Sequence, residues 1–153
     1  MPEQRTYTYE VMFLLSQAVA ADFGAAIAHI NDLLTRANAQ VLAMQKWDER
    51  RLAYEIQKQR RGVYILAYIK APNDHMASFE RDCNLSEKIM RTLITRADHL
   101  TEEEMRSADQ RNELEIEARL RAEQKRDAEP TSVTVAVASQ DEPTEETSEE
   151  DLD

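Results

Sequence analysis

The sequence predicts an α+β domain of four strands and two helices, extended at its C-terminus by a charged helix and an acidic tail. Three observations carry this reading. Apolar residues switch between a period of two and a period of three to four, in the order β-α-β-β-α-β, across residues 5–100. Only two glycines, Gly24 and Gly62, occur in 153 residues, so glycine-rich phosphate loops are absent. The formal net charge of −11 lies wholly beyond residue 100. Residues 1–100 hold 13 Lys and Arg against 12 Asp and Glu, residues 101–129 hold 6 against 10, and residues 130–153 hold none against 8.

The first strand is TYTYEVMFLL, residues 6–15, where Tyr7, Tyr9, Val11 and Phe13 alternate with Thr8, Glu10 and Met12. From about Ala18 to Asn38 the period lengthens, and Phe23, Ile27, Ile30, Leu34 and Ala37 mark one apolar helical face. Residues 40–56, QVLAMQKWDERRLAYEI, form a long second strand whose end alternates as Leu52, Tyr54 and Ile56. Lys58–Gly62 supplies the turn, and Val63–Ala71 is a strand of β-branched and aromatic residues that Pro72 ends by removing a donor. In PNDHMASFERDC, Asn73 or Asp74 is the expected N-cap of a short helix with Met76, Phe79 and Cys83 on one face. EKIMRTLITR, residues 87–96, is the fourth strand. This order is the ferredoxin-like split βαβ arrangement, with two helices on one face of a four-stranded antiparallel sheet and the other face available.

Beyond residue 100, Met105, Leu114, Ile116 and Leu120 are spaced too sparsely for a packed face. Residues 101–129 are therefore expected to form a solvated helix of mixed charge. Residues 130–153, rich in Pro, Ser, Thr and acid, form an expected disordered tail. The chain divides into a domain at 5–100, a charged helical extension at 101–129 and the tail at 130–153.

An enzyme finds little support. His29, His75 and His99 lie on separate elements without metal-ligand spacing or a neighbouring nucleophile. Cys83, the one cysteine, excludes an internal disulfide and falls at an apolar helical position. No metal or cofactor is predicted. No secretory signal and no apolar run of roughly 18 residues is present, which points to a reducing compartment, most simply the bacterial cytoplasm, and away from the membrane. Base stacking on the sheet, as in an RNA-recognition motif, is disfavoured, because Val63 and Ile65 stand where RGVYILAY would need aromatics.

The informative feature is cationic. Arg50, Arg51, Lys58, Arg60 and Arg61 flank one hairpin, and Arg91 and Arg96 lie in or at the end of the last strand. Guanidinium groups on a rigid sheet can hold phosphates without reading sequence. Charge at strand edges also deters aggregation, and spacing alone does not separate the two roles.

WDERRLAYEIQKQRRGVYILAYIKAP, residues 47–72, resembles the second and third strands of the family of the sixth protein of the bacterial small ribosomal subunit, ribosomal protein S-six. The matching residues are Arg50-Arg51-Leu52-Ala53-Tyr54, Ile56, Lys58 and Tyr64. Tyr9-Glu10-Val11 is similar to the family's first strand, and EKIMRTLITR, with Arg91 and Arg96 at basic positions, to its fourth. Two positions depart from the pattern: Asp48 stands where glycine is usual, and Glu55 where proline is usual. The resemblance implies a structural protein of the small subunit that binds 16S ribosomal RNA in the platform. It also implies a heterodimer with the small basic ribosomal protein S-eighteen, which docks beside the sheet, and contacts with other small-subunit proteins. Arg50, Arg51, Lys58, Arg60, Arg61, Arg91 and Arg96 are the expected RNA or partner contacts. Tyr54 is expected in the core. The alternative is a non-ribosomal regulatory or adapter module that self-associates through its sheet.

Overall fold

The computed structural model describes residues 5–137, with side chains through residue 127. Strand β1 (Thr6–Ser16) leads into α1 (Gln17–Ala21) and α2 (Phe23–Arg36), then β2 (Gln40–Ile56) and β3 (Gln59–Pro72). A single 3-10 turn (Asn73–His75) opens α3 (Met76–Leu85), followed by β4 (Arg91–Arg96), α4 (Glu102–Ser107) and α5 (Arg111–Val137). The four strands form one sheet in the order β2-β3-β1-β4, with every adjacent pair antiparallel. This is the ferredoxin-like topology expected from the element order.

Alternation divides β1 and β3 between two faces. Tyr9, Val11, Phe13 and Leu15 join Val63, Ile65, Ala67 and Ile69 on the inner face, where α2 contributes Phe23, Ala26, Ile30 and Leu34 and α3 contributes Met76, Phe79 and Cys83. Phe13 and Phe79 meet edge to face, 6.3 Å between centroids. Fully burying each such side chain stabilises by about 1.5–3 kcal/mol. The expected first helix is interrupted at Asp22. Ser16 caps the short first piece by accepting from Val19 N–H at 3.2 Å, and α2 restarts at Phe23.

Three local expectations need correction. The hairpin turn is not Lys58–Gly62. It is a two-residue turn at Gln57 and Lys58, with φ of 50° and 66°, the left-handed pair that matches strand twist. Gly62 lies inside β3 because it has no room for a side chain: a Cβ there would sit 2.5 Å from Leu14 Cδ1 and 3.1 Å from Leu15 O. Asn73 is not a side-chain N-cap either. Its Oδ1 accepts from the Tyr9 hydroxyl at 3.2 Å.

The third correction concerns residues beyond 100, which do pack. Two helices replace the single one expected, and each inserts one apolar side chain. Met105 on α4 is 1% exposed and lies with Leu42, Ala97, Tyr68 and Leu100 on the outer sheet face. Leu114 on α5 is 3% exposed and belongs to the main core. Thr101 and Glu104 form a reciprocal capping box that starts α4. Between the helices, Asp109 Oδ1 accepts from Met44 N–H at 3.1 Å and Gln110 N–H donates to Met44 O at 2.9 Å, satisfying both backbone groups of an edge-strand residue. The compact unit accordingly reaches Ala122. The helical backbone of α5 continues past the 129/130 boundary to Val137; the rest of the expected disordered tail, 138–153, lies outside the described residues.

Candidate nucleic-acid and protein interface

The β2–β3 hairpin carries most of the cations, and its register decides where each one stands. Arg50 pairs with Gly62 and Arg51 with Arg61, after which three extra residues on β2 intervene before Ile56 pairs with Gln59. Leu52 stays on the Gly62 side of the sheet, where its Cδ2 would lie 3.4 Å from a Cβ on Gly62, and Tyr54 is left 60% exposed. Tyr54 is therefore not a core residue, as alternation through Leu52, Tyr54 and Ile56 suggested.

Arg51 and Arg61 sit directly across the two strands, so their side chains share one face. Alternation places them opposite to the side occupied by Gly62 and Arg50. Neither meets a carboxylate among the described residues, and neither does Lys58 at the turn. Two like charges held cross-strand repel each other, and an anion between them relieves that repulsion.

The remaining candidates are engaged. Arg50 Nε donates to Asp48 Oδ2 at 2.8 Å, and its guanidinium lies 4.9 Å from the centre of the Trp47 ring. Hydrogen bonding from Arg50 and from the Glu49 amide holds the Asp48 carboxyl below the ordinary carboxylate range. Arg60 Nε donates to Glu55 Oε1 at 3.1 Å. Arg91 donates to the Tyr54 hydroxyl at 2.7 Å and stacks over its ring at 5.4 Å. Arg96 pairs with Asp98 at 3.1 Å and stacks on Tyr7 at 3.8 Å. It is not brought to the hairpin: it lies at the other end of β4 from Arg91, five residue steps or about 17 Å of extended chain away.

Between the hairpin and β4 the outer sheet face is concave. A groove of about 410 Å³ is lined by Met12, Leu14, Leu52, Tyr54, Tyr64 and Leu93, with Arg91 on its rim. Leu93 is 67% exposed. Trp47 meets Tyr64 edge to face at 5.6 Å and extends the aromatic surface toward β2. Sequence reading missed Met12, Leu14 and Leu93, although the alternation Arg91, Leu93, Thr95 in an edge strand marks Leu93 as outward. The other half of this face is closed by α4, with Lys70 bonded to Glu102 at 3.0 Å.

Among the described residues, no catalytic arrangement is assembled around His29 or His75. His29 Nε2 lies 2.6 Å from Ser86 Oγ, and His75 Nδ1 lies 3.1 Å from Ala37 O. Burial raises the Cys83 thiol to about 11. Among the described residues no group of three or more His, Cys, Asp or Glu side chains is placed to hold a metal, and no helix is long and apolar enough to cross a membrane.

Residues 8–96 match the family model of ribosomal protein S6. The small ribosomal subunit protein bS6 of Campylobacter lari is 30% identical over 115 residues, covering 72% of this chain and 93% of that one. The bS6 protein of Halalkalibacterium halodurans is 35% identical over 89 residues, 58% of this chain and 94% of its own length. The crystal structure of 30S ribosomal protein S6 from Thermotoga maritima superposes with a TM-score of 0.58 at 19% identity, covering 67% of this chain and 98% of that one, a likeness of fold.

Proposed function

Because the chain belongs to the ribosomal protein S6 family, whose role is structural in the small ribosomal subunit, we propose that it binds 16S ribosomal RNA in the platform together with the basic protein S-eighteen. It would then reside on the cytoplasmic ribosome, among other small-subunit proteins, and would catalyse no reaction. The observation that carries this reading is the separation of two surfaces. Arg51, Arg61 and Lys58, without a carboxylate partner among the described residues, present positive charge at the hairpin, which suits a phosphate backbone. The groove bounded by Tyr54, Tyr64 and Leu93 presents apolar area with few charges, which suits a protein. A near-neutral domain neutralises few phosphates alone, so a basic partner supplies the charge that RNA affinity requires.

Sedimentation of the tagged protein from lysate through a sucrose gradient tests this, with and without high salt. Migration with the small subunit, together with a small basic protein that stays bound after salt, is the expected result. Migration at the top of the gradient as a homo-oligomer would remove the ribosomal assignment and leave an adapter that self-associates through the groove.

A further inference from the structure

The hairpin cations divide into standing and held charges. Arg51, Lys58 and Arg61 stand free of carboxylates among the described residues, whereas Arg50 is held by Asp48 and Arg60 by Glu55. We propose that Asp48 and Glu55 stand in for RNA phosphates: they occupy Arg50 and Arg60 in the free protein and release them to the RNA backbone when it docks. The inference rests on the RNA-binding reading above and adds a device that holds down affinity for arbitrary RNA.

Three features support exchange over a fixed structural role. Each carboxylate bonds Nε of its arginine, part of the donor fork that would otherwise meet a phosphate oxygen, so the two anions compete for one site. Both pairs are open to water, with Arg50 and Arg60 side chains 51% and 75% exposed, and exposed pairs break at little cost. Each tie is also local. Asp48 and Arg50 lie two residues apart on β2, and Glu55 and Arg60 lie on either side of the turn, so neither pair joins the hairpin to the rest of the fold. The cluster of Lys46, Glu49, Glu117 and Arg121 is different in kind. It binds α5 to β2, Arg121 also donates to Ala20 O at 3.1 Å, and its side chains are largely shielded.

The test is fluorescence anisotropy of a labelled oligouridylate with the full chain across a range of potassium chloride. Asp48→Asn with Glu55→Gln keeps shape and frees both arginines. The docked complex then holds the same phosphates in parent and variant, so the slope of log affinity against log salt stays as in the parent chain, while binding at low salt tightens by about 3- to 10-fold because no carboxylate has to be displaced. Glu80→Gln with Glu87→Gln makes the same change in net charge at exposed carboxylates without a partner among the described residues, and tightens binding by less than about 2-fold. Equal affinities of the two double variants overturn the exchange, and so does a slope steeper by about 1.4 for Asp48→Asn with Glu55→Gln, which would mean that both arginines stay tied to their carboxylates in the parent complex. Arg51→Ala with Arg61→Ala separates the two claims. If it flattens the slope while Asp48→Asn with Glu55→Gln changes nothing, the exchange fails and the RNA reading stands. If the arginine variant has no effect, or no variant binds the oligonucleotide, the RNA reading fails and the exchange falls with it.

Discussion

Truncating Leu114 or Met105 should destabilise the whole compact unit, although both residues lie beyond the domain that the sequence delimits. Leu114 is 3% exposed in the main core, bordered by Gly24, Ile27 and Met44. Replacing a buried leucine or methionine by alanine costs about 2–5 kcal/mol, the spread reflecting how far the cavity collapses or fills. Leu114 borders an open groove of about 180 Å³ on the α2 side, so water can reach the vacated space, and Leu114→Ala belongs at the low end, about 2–3 kcal/mol. Met105 is 1% exposed beneath Leu42 and Ala97, and Met105→Ala should cost about 3 kcal/mol. Ile116, 52% exposed on the same α5 helix, is the control, and Ile116→Ala should stay within about 0.5 kcal/mol. Urea unfolding at neutral pH reads all three. With a urea slope of about 1–3 kcal/mol/M, the two core variants lower the midpoint by about 1–2 M at unchanged slope. A Leu114→Ala midpoint equal to that of Ile116→Ala would refute the packing of α5 on the domain. A two-step transition in the parent chain would refute the single cooperative unit.

Three further outcomes follow from the same contacts. Gly62→Ala should destabilise by about 1–2 kcal/mol: Leu14 can rotate away from the new Cβ, but Leu15 O at 3.1 Å cannot, and urea unfolding checks the sum. Burial pushes the Glu117 carboxyl up, but hydrogen bonds and charge from Lys46 and Arg121 outweigh it and leave it below the ordinary range. A depressed folded-state value gives stability that is present above the unfolded carboxylate range of about 4–4.5 and lost as pH falls through the folded value. Glu117→Gln should therefore lower the urea midpoint at pH 7, with the gap to the parent chain closing under acid. Cys83, buried and with its thiol raised to about 11, should resist a disulfide reagent at about pH 8 until the protein is unfolded, which absorbance of the released thiolate records.

The element order was legible because each core element carries its own periodicity, as in Tyr7-Tyr9-Val11-Phe13 or Phe23-Ile27-Ile30-Leu34. The errors arose where two elements, or two layers, share one stretch of sequence. Gly62 looked like a turn residue because glycine favours turns, yet what demands it is the approach of Leu14 and Leu52 from other parts of the sheet. Tyr54 looked buried because alternation marks a shared face but not what covers it: Leu52, Tyr54 and Ile56 all border the outer groove, which no described residue closes over Tyr54. Met105 and Leu114 looked too sparse because they were weighed on one helix, whereas each serves a different helix and a different cluster. The cations of the candidate site were all visible in the sequence, but their pairing was not. Which of them meets a carboxylate depends on register and turn geometry, and these are properties of the folded hairpin.

The closing of half the outer face by α4 narrows what a partner can use. With Leu42, Ala97 and Met105 already buried there, the apolar area left on that face is the groove between Tyr54, Tyr64 and Leu93. Arg51 and Arg61 emerge on the opposite side of the same hairpin. On the proposed function, the phosphates held by Arg51 and Arg61 and the protein partner in the groove therefore lie on different sides of the hairpin, and only RNA held by Arg50, on the groove side, comes near the partner. Leu93→Ala should then weaken capture of the basic partner while leaving the salt slope of RNA binding unchanged. Arg51→Ala should do the reverse, flattening the slope by about 0.7 per lost phosphate on a single strand and leaving partner capture intact. Parallel anisotropy and pull-down measurements on these two variants decide the matter. If either substitution disturbs both readouts equally in a folded protein, the hairpin presents one shared surface and the division of labour between its faces is wrong.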